Sequence, residues 1–145
     1  MKNFKIIVLV LSALALFYAS SSRFINPTGA VFLQTFFENP ENSLETAVDL
    51  VNEIRGVGAV LFLGGIVALF GAIRADSRQT SFVVTTVIFG GIVIGRSLSF
   101  FMDGIPNQDL IRVAITEGVL AVLNIFCLVN ISHQYKGRIT STATY

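Results

Sequence analysis

Tryptophan is missing from this chain of 145 residues, cysteine and histidine occur once each, and charged residues make up only 13%. Each shortage removes a class of chemistry. Cys127 has no second cysteine to bridge and no CxxC partner, which excludes disulfides, thiol exchange and thiolate metal clusters within one chain. In its apolar run it reads as a small buried hydrophobe. His133 stands alone at the inner end of the last apolar segment, so histidine-based metal binding or catalysis is not expected. No glycine-rich phosphate loop follows a strand and no nucleophile elbow is present, and neither a cofactor nor a metal is expected. Ten basic and nine acidic residues leave a formal charge of +1. With no basic stripe anywhere, nucleic acid is excluded as a partner.

What the chain does have is apolar length. It is 53% hydrophobic with a mean hydropathy of +0.74, which points to the membrane class, and its length suits a single domain. The segments Ile6 to Ser22, Gly56 to Ile73, Gln79 to Gly95 and Gly118 to Ser132 carry no charge. Flanking turns bring each near the ~20 residues needed to cross a bilayer. The expected fold is all-α: an integral membrane four-helix bundle over 1–145, with spans at about 4–22, 51–73, 80–102 and 110–132 and an outer loop at 23–50. Short connections make antiparallel neighbours of the second and third spans, and of the third and fourth. The first segment has a rival reading as a signal peptide, since Lys2 and Lys5 precede an apolar core and Ala19-Ser20-Ser21 offers small residues for cleavage. Its uncharged stretch is long for that purpose.

Orientation follows from the basic residues. With the N-terminus inside, Lys2, Lys5, Arg74, Arg78, Lys136 and Arg138 are cytoplasmic, against Arg23 and Arg112 outside. Both termini are therefore expected in the cytoplasm. In the outer loop, Asn39 can cap a helix with Pro40 at its first position and Glu41 in its first turn. Leu44, Ala47, Val48, Val51 and Ile54 then recur at helical spacing, which predicts an amphipathic extension running into the second span. Upstream, 31–37 is apolar and aromatic and suits an interfacial or re-entrant segment. Gly64-Gly65 and Gly90-Gly91, with Gly95, are expected to let the second and third helices approach closely.

Four ionisable residues sit inside or at the edge of these spans: Glu53, Arg55, Arg96 and Glu117. A charge at mid-bilayer costs roughly 2.5 to 3.5 kcal/mol, so such groups usually face a bundle interior or an aqueous cavity. At ~1.5 Å per residue, Arg96 lies about 9 Å below the outer end of the third span and Glu117 about 10 Å below that of the fourth. Matching depths on antiparallel neighbours allow the two to meet. Ser99 and Asp103 follow Arg96 on one face, as Ala121 and Asn124 follow Glu117. Glu53 and Arg55 point about 200° apart, so only one can face the centre, and Arg55 is the better able to snorkel outward. The candidate polar cluster is therefore Glu53, Arg96, Ser99, Asp103 and Glu117, with Arg112 read as an interfacial anchor. Asp103-Gly104-Ile105-Pro106 reads as the turn after the third span, with Gly104 free to adopt positive φ.

Glu53-Ile54-Arg55-Gly56, then Gly95-Arg96-Ser97-Leu98-Ser99 leading to Asp103-Gly104-Ile105-Pro106, then Glu117, resemble the pattern of a family of small bacterial inner-membrane proteins known only as a domain of unknown function. Such proteins look like four-helix membrane bundles, broadly similar to the DoxX-like group. The resemblance covers about half the chain and leaves out the acidic first loop. It implies a bacterial cytoplasmic membrane and four spans, and it brings no reaction, cofactor or partner.

Three functional classes fit these residues. The first is a binding or accessory protein of the lipid bilayer, whose outer-leaflet pocket takes a lipid-like or anionic ligand or a partner subunit, with Arg96 engaging the anion and Glu117 orienting it. The second is a membrane enzyme using Glu117 with Glu53 or Asp103 as acid and base on a lipid-like substrate. The third is a small oligomeric transporter, although nothing in the spacing sets an oligomeric state. Against all three stands a structural ion pair that only holds helix register.

Overall fold

A computed structural model describes residues 2–25, 27, 36, 38, 39, 41 and 47–142, with side chains described as far as 132. Its helices are α1 (Lys2–Ile25), α2 (Val48–Ile73), α3 (Arg78–Met102) and α4 (Gln108–Thr142). All four are long and apolar enough to cross a membrane, α4 through its first part, Gln108–Ser132. The chain is an all-α, multi-pass membrane protein in which every spanning backbone group can be satisfied within its own helix. The end carrying Arg23, Val48, Met102 and Gln108 is called distal here, and the end with the N-terminus and the Arg74–Ser77 turn proximal.

The termini follow from local chemistry. Asn107 accepts the Leu110 backbone N–H through Oδ1 at 2.8 Å, capping α4, and Asp109 in the first turn complements its dipole. The α3 helix closes with the Asp103 N–H on the Ser99 carbonyl at 2.7 Å. Gly104 then turns the chain at φ 100°, a conformation in which a side chain would be strained. In the first loop the Asn39 Oδ1 accepts the Glu41 N–H at 3.2 Å. Pro40, Leu44 and, apart from Phe36, the segment 31–37 lie outside the described residues. The last part of the expected extension forms the opening turns of α2, with Val51 and Ile54 buried and Asp49, Asn52, Glu53 and Arg55 exposed.

The bundle is built as α1 against α2 and α3 against α4, joined along α2 and α3, while α1 makes little contact with α3 or α4. In lipid no hydrophobic force drives helices together, so close packing and interhelical hydrogen bonds must do it. Gly71 leaves room for Ser81 of α3, whose Oγ donates to the Val67 carbonyl at 2.7 Å. Gly64 receives Ile88 and Gly65 the ring of Phe17. Gly90, Gly91 and Gly95 do not share in this: no atom lies within 4 Å of where their Cβ would stand. The expected close approach at these three glycines is corrected. Ser81, Phe82, Thr85 and Phe89 carry the buried face of α3, and Gly91 is turned about 200° from Phe89.

Two apolar clusters result. The proximal one gathers Val8, Leu9, Ala13, Ala68, Ala72, Phe82, Cys127 and Ile131, and the distal one Leu16, Leu61, Phe89, Leu120 and Ala121. Between them lies a buried polar clasp. Asn124 donates from Nδ2 to Ser12 Oγ and to the Leu120 carbonyl, both at 2.8 Å, and accepts from Thr85 Oγ1 at 2.6 Å. Ser12, Thr85 and Asn124 are each 0% exposed, so α1, α3 and α4 are tied by a neutral network whose cost of burial its own bonds offset.

A distal cavity with an arginine–glutamate pair

Above the clasp the helices part. Arg96 of α3 and Glu117 of α4 form a fork-to-fork pair, with Nε to Oε2 at 2.5 Å and Nη2 to Oε1 at 3.2 Å. Their side chains are 19% and 12% exposed, so this charge-assisted contact is largely withdrawn from solvent and lipid. The short link through Gly104 and Pro106 makes α3 and α4 antiparallel neighbours, which is what lets residues 21 apart in sequence meet. Pairing satisfies both charges at a depth where either alone would be costly.

A third charged group joins them from α1. Arg23 stands in the last turn, donates from Nη1 to the Ala19 carbonyl at 2.6 Å, and lies within electrostatic reach of both Glu117 and Arg96. Room for its stem comes from α2: a Cβ added at Gly58 would sit 3.0 Å from the Arg23 Cβ. Ser20 locks the same seam by donating to the Gly58 carbonyl at 2.9 Å.

These groups border a cavity of about 350 Å³. Its deeper wall is apolar, with Leu16, Leu61, Phe89, Ile92 and Leu120, and its polar border holds Arg23, Arg96, Arg112, Thr116 and Glu117. Arg112 pairs with Asp109 at 3.2 Å, but the two side chains are 75% and 67% exposed, so that contact is weak and readily exchanged. Among the described lining residues are Arg23, Arg96 and Arg112 together with Glu117. An apolar chamber with a cationic border suits an amphiphile carrying negative charge.

Of the five residues singled out in the sequence, Arg96 and Glu117 come together at the cavity. The other three stand apart from its lining. Ser99 donates to Asp103 Oδ2 at 2.7 Å on the exposed distal end of α3. Glu53 is exposed, and so is Arg55, because Val51, Ile54, Gly58 and Leu61 carry the buried face of α2 and leave both charges on its outer side. Arg112, read as an anchor, lines the cavity.

Sequence reasoning missed Arg23, Ser12 and Thr85. A signal for Arg23 existed. It continues the buried stripe of Ser12, Leu16 and Ser20, lying only about 20° from Ser12 around the helix, but the expected span stopped at residue 22 and α1 runs to Ile25. Ser12 and Thr85 resembled ordinary small residues in a span, and only the partner across the bundle distinguishes them. Among the described residues no three His, Cys, Asp or Glu side chains converge as a metal site would need.

Residues 4–128 match the model of a protein family described as a domain of unknown function (DUF4345). No curated protein and no solved structure matches the chain.

Proposed function

This chain belongs to the DUF4345 family of domains of unknown function, and from that premise we propose that it is a membrane binding protein that holds an anionic, lipid-like ligand in its distal cavity. The observation that carries this reading is the cavity itself: about 350 Å³ of space adjoins the Arg96–Glu117 pair instead of being closed by it. A pair serving only helix register has no use for that space. Arg96 engages Glu117 through two of the five donors of a guanidinium, which leaves three for an anion. Glu117 holds the fork in place, and the apolar wall receives the chain of the ligand. The sparse contact between α1 and α4 supports entry from the side, out of the lipid.

The acid–base alternative draws less support. Both Glu117 oxygens are engaged by Arg96, while Glu53 and Asp103 lie outside the described lining. As to setting, the reading is a bacterial cytoplasmic membrane with both termini inside, so that the distal end opens toward the outer leaflet. The distribution of basic residues and the resemblance of the Gly95 to Pro106 stretch support it, and the broader likeness to the DoxX-like group rests on the four-span form. Mass spectrometry of lipids retained by protein purified from native membranes tests the binding. An anionic lipid-like species is expected at near-stoichiometric level in the wild type and several-fold depleted in folded Arg96→Ala. Unchanged lipid content in that variant would sink the proposal.

A further inference from the structure

The distal cavity has a floor as well as a border. One helical turn distal to each member of the clasp stands an apolar residue of the cavity wall: Leu16 beyond Ser12 on α1, Phe89 beyond Thr85 on α3, and Leu120 beyond Asn124 on α4. These three are 1%, 2% and 6% exposed, and the clasp beneath them is wholly buried, so the cavity is closed at this level. Arg112 and Val113, toward its other end, are exposed. The cavity is therefore blind on the proximal side.

Its width follows from the same wall. Along α4 the described lining runs from Leu110 to Leu120, which is ~15 Å of helix. A volume of about 350 Å³ over that length leaves a mean cross-section of about 23 Å², room for one hydrocarbon chain and not for two side by side. At ~30 Å³ for a water-sized group, the same volume holds about a dozen methylene-sized groups, headgroup included. Resting on the binding function proposed above, we infer that the ligand is a single-chain anionic amphiphile inserted tail first, and that Leu16, Phe89 and Leu120 set the longest tail the cavity accepts. A tail in a bilayer is already in apolar surroundings, so the wall selects it by fit and not by hydrophobicity. One that just reaches the floor gains close contact along its length. A longer one must strain the wall or draw its head away from Arg96, whose remaining donors face the anion at the polar border.

The experiment photolabels the full chain in phosphatidylcholine nanodiscs with decanoate carrying a terminal diazirine, at about pH 9, where carboxylates are ionised. Unlabelled decanoate, hexadecanoate and a two-chain anion, phosphatidylglycerol, compete, each compared at equal mole fraction in the bilayer so that partitioning cancels. Peptide mapping should place the label on Leu16, Phe89 or Leu120. Decanoate is expected to compete at least about fivefold better than hexadecanoate, because the longer tail overfills the cavity. Phe89→Ala deepens the floor and should erase most of that preference, as should Leu120→Ala, a smaller truncation that keeps the test open where the first variant fails to fold. Saturable labelling displaced equally well by both fatty acids would overturn the length limit and leave the binding function standing. Labelling that no competitor displaces would overturn both. Phosphatidylglycerol competing as well as decanoate would overturn the single-chain assignment, and an unchanged preference in both variants would remove the floor from the choice of length.

Discussion

On the proximal side of Asn124 the four helices close around Leu9, Ala13, Phe82 and Cys127, none more than 2% exposed, whereas on the distal side the same helices part around about 350 Å³ bordered by Arg96 and Glu117. The polar groups of the two halves differ to match. Where packing is tight, Ser12, Thr85 and Asn124 are neutral and bonded to one another, and Lys5, near the proximal end of α1, is buried as well. Where the helices part, the described lining includes the charged pair of Arg96 with Glu117. The proximal half therefore reads as the fastening and the distal half as the working end.

The sharpest way to break this division is to unbalance the distal pair. Glu117→Leu leaves Arg96 largely buried without its acceptor and should cost about 3 kcal/mol in equilibrium unfolding in mixed micelles. Replacing both, Arg96→Met with Glu117→Leu, should recover most of that stability while abolishing retention of the lipid-like ligand. A double variant as unstable as the single one would make the pair part of the fastening. Next in size is the α2–α3 seam. Gly71→Ala forces a Cβ against Ser81 and should cost about 2 kcal/mol by the same measurement. Gly91→Ala, with nothing near its Cβ, should stay within about 0.5 kcal/mol. A smaller effect than at Gly71 comes from the clasp. Asn124→Leu removes the bonds to Ser12 and Thr85 and should lower stability by about 1 kcal/mol, since interhelical hydrogen bonds in membranes average well below that each. Its ligand content should not change, and loss of ligand from the folded variant would dissolve the boundary between the halves.

The architecture was legible because a bilayer simplifies the problem: uncharged apolar runs of sufficient length have few alternatives to spanning helices. Arg96 and Glu117 were legible as a pair for a related reason. The link from α3 to α4 is short, so helical rise alone places both side chains at similar depth. Gly90, Gly91 and Gly95 show where this reasoning stops. Small residues permit close approach but do not say which helix makes it, and the buried face of α3 is set by Ser81, Phe82, Thr85 and Phe89 instead. Glu53 is the same lesson on α2. Its place inside a span suggested an inward role, yet Val51, Ile54 and Gly58 hold the buried face and leave it outside.

Hydropathy, helical rise and the length of the connections are properties of the chain itself, and from them the sequence alone determined four membrane-spanning helices and a common depth that allows Arg96 to meet Glu117. Tertiary structure alone decided that α1 would bring Arg23 to that pair, that Asn124 would clasp Ser12 and Thr85, and that a cavity would open between these two levels and the distal end. Each of those depends on the rotation of one helix against another across long stretches of sequence. That rotation is chosen by side-chain fit at Gly58, Gly64 and Gly71, which becomes definite only when the facing helix is in place.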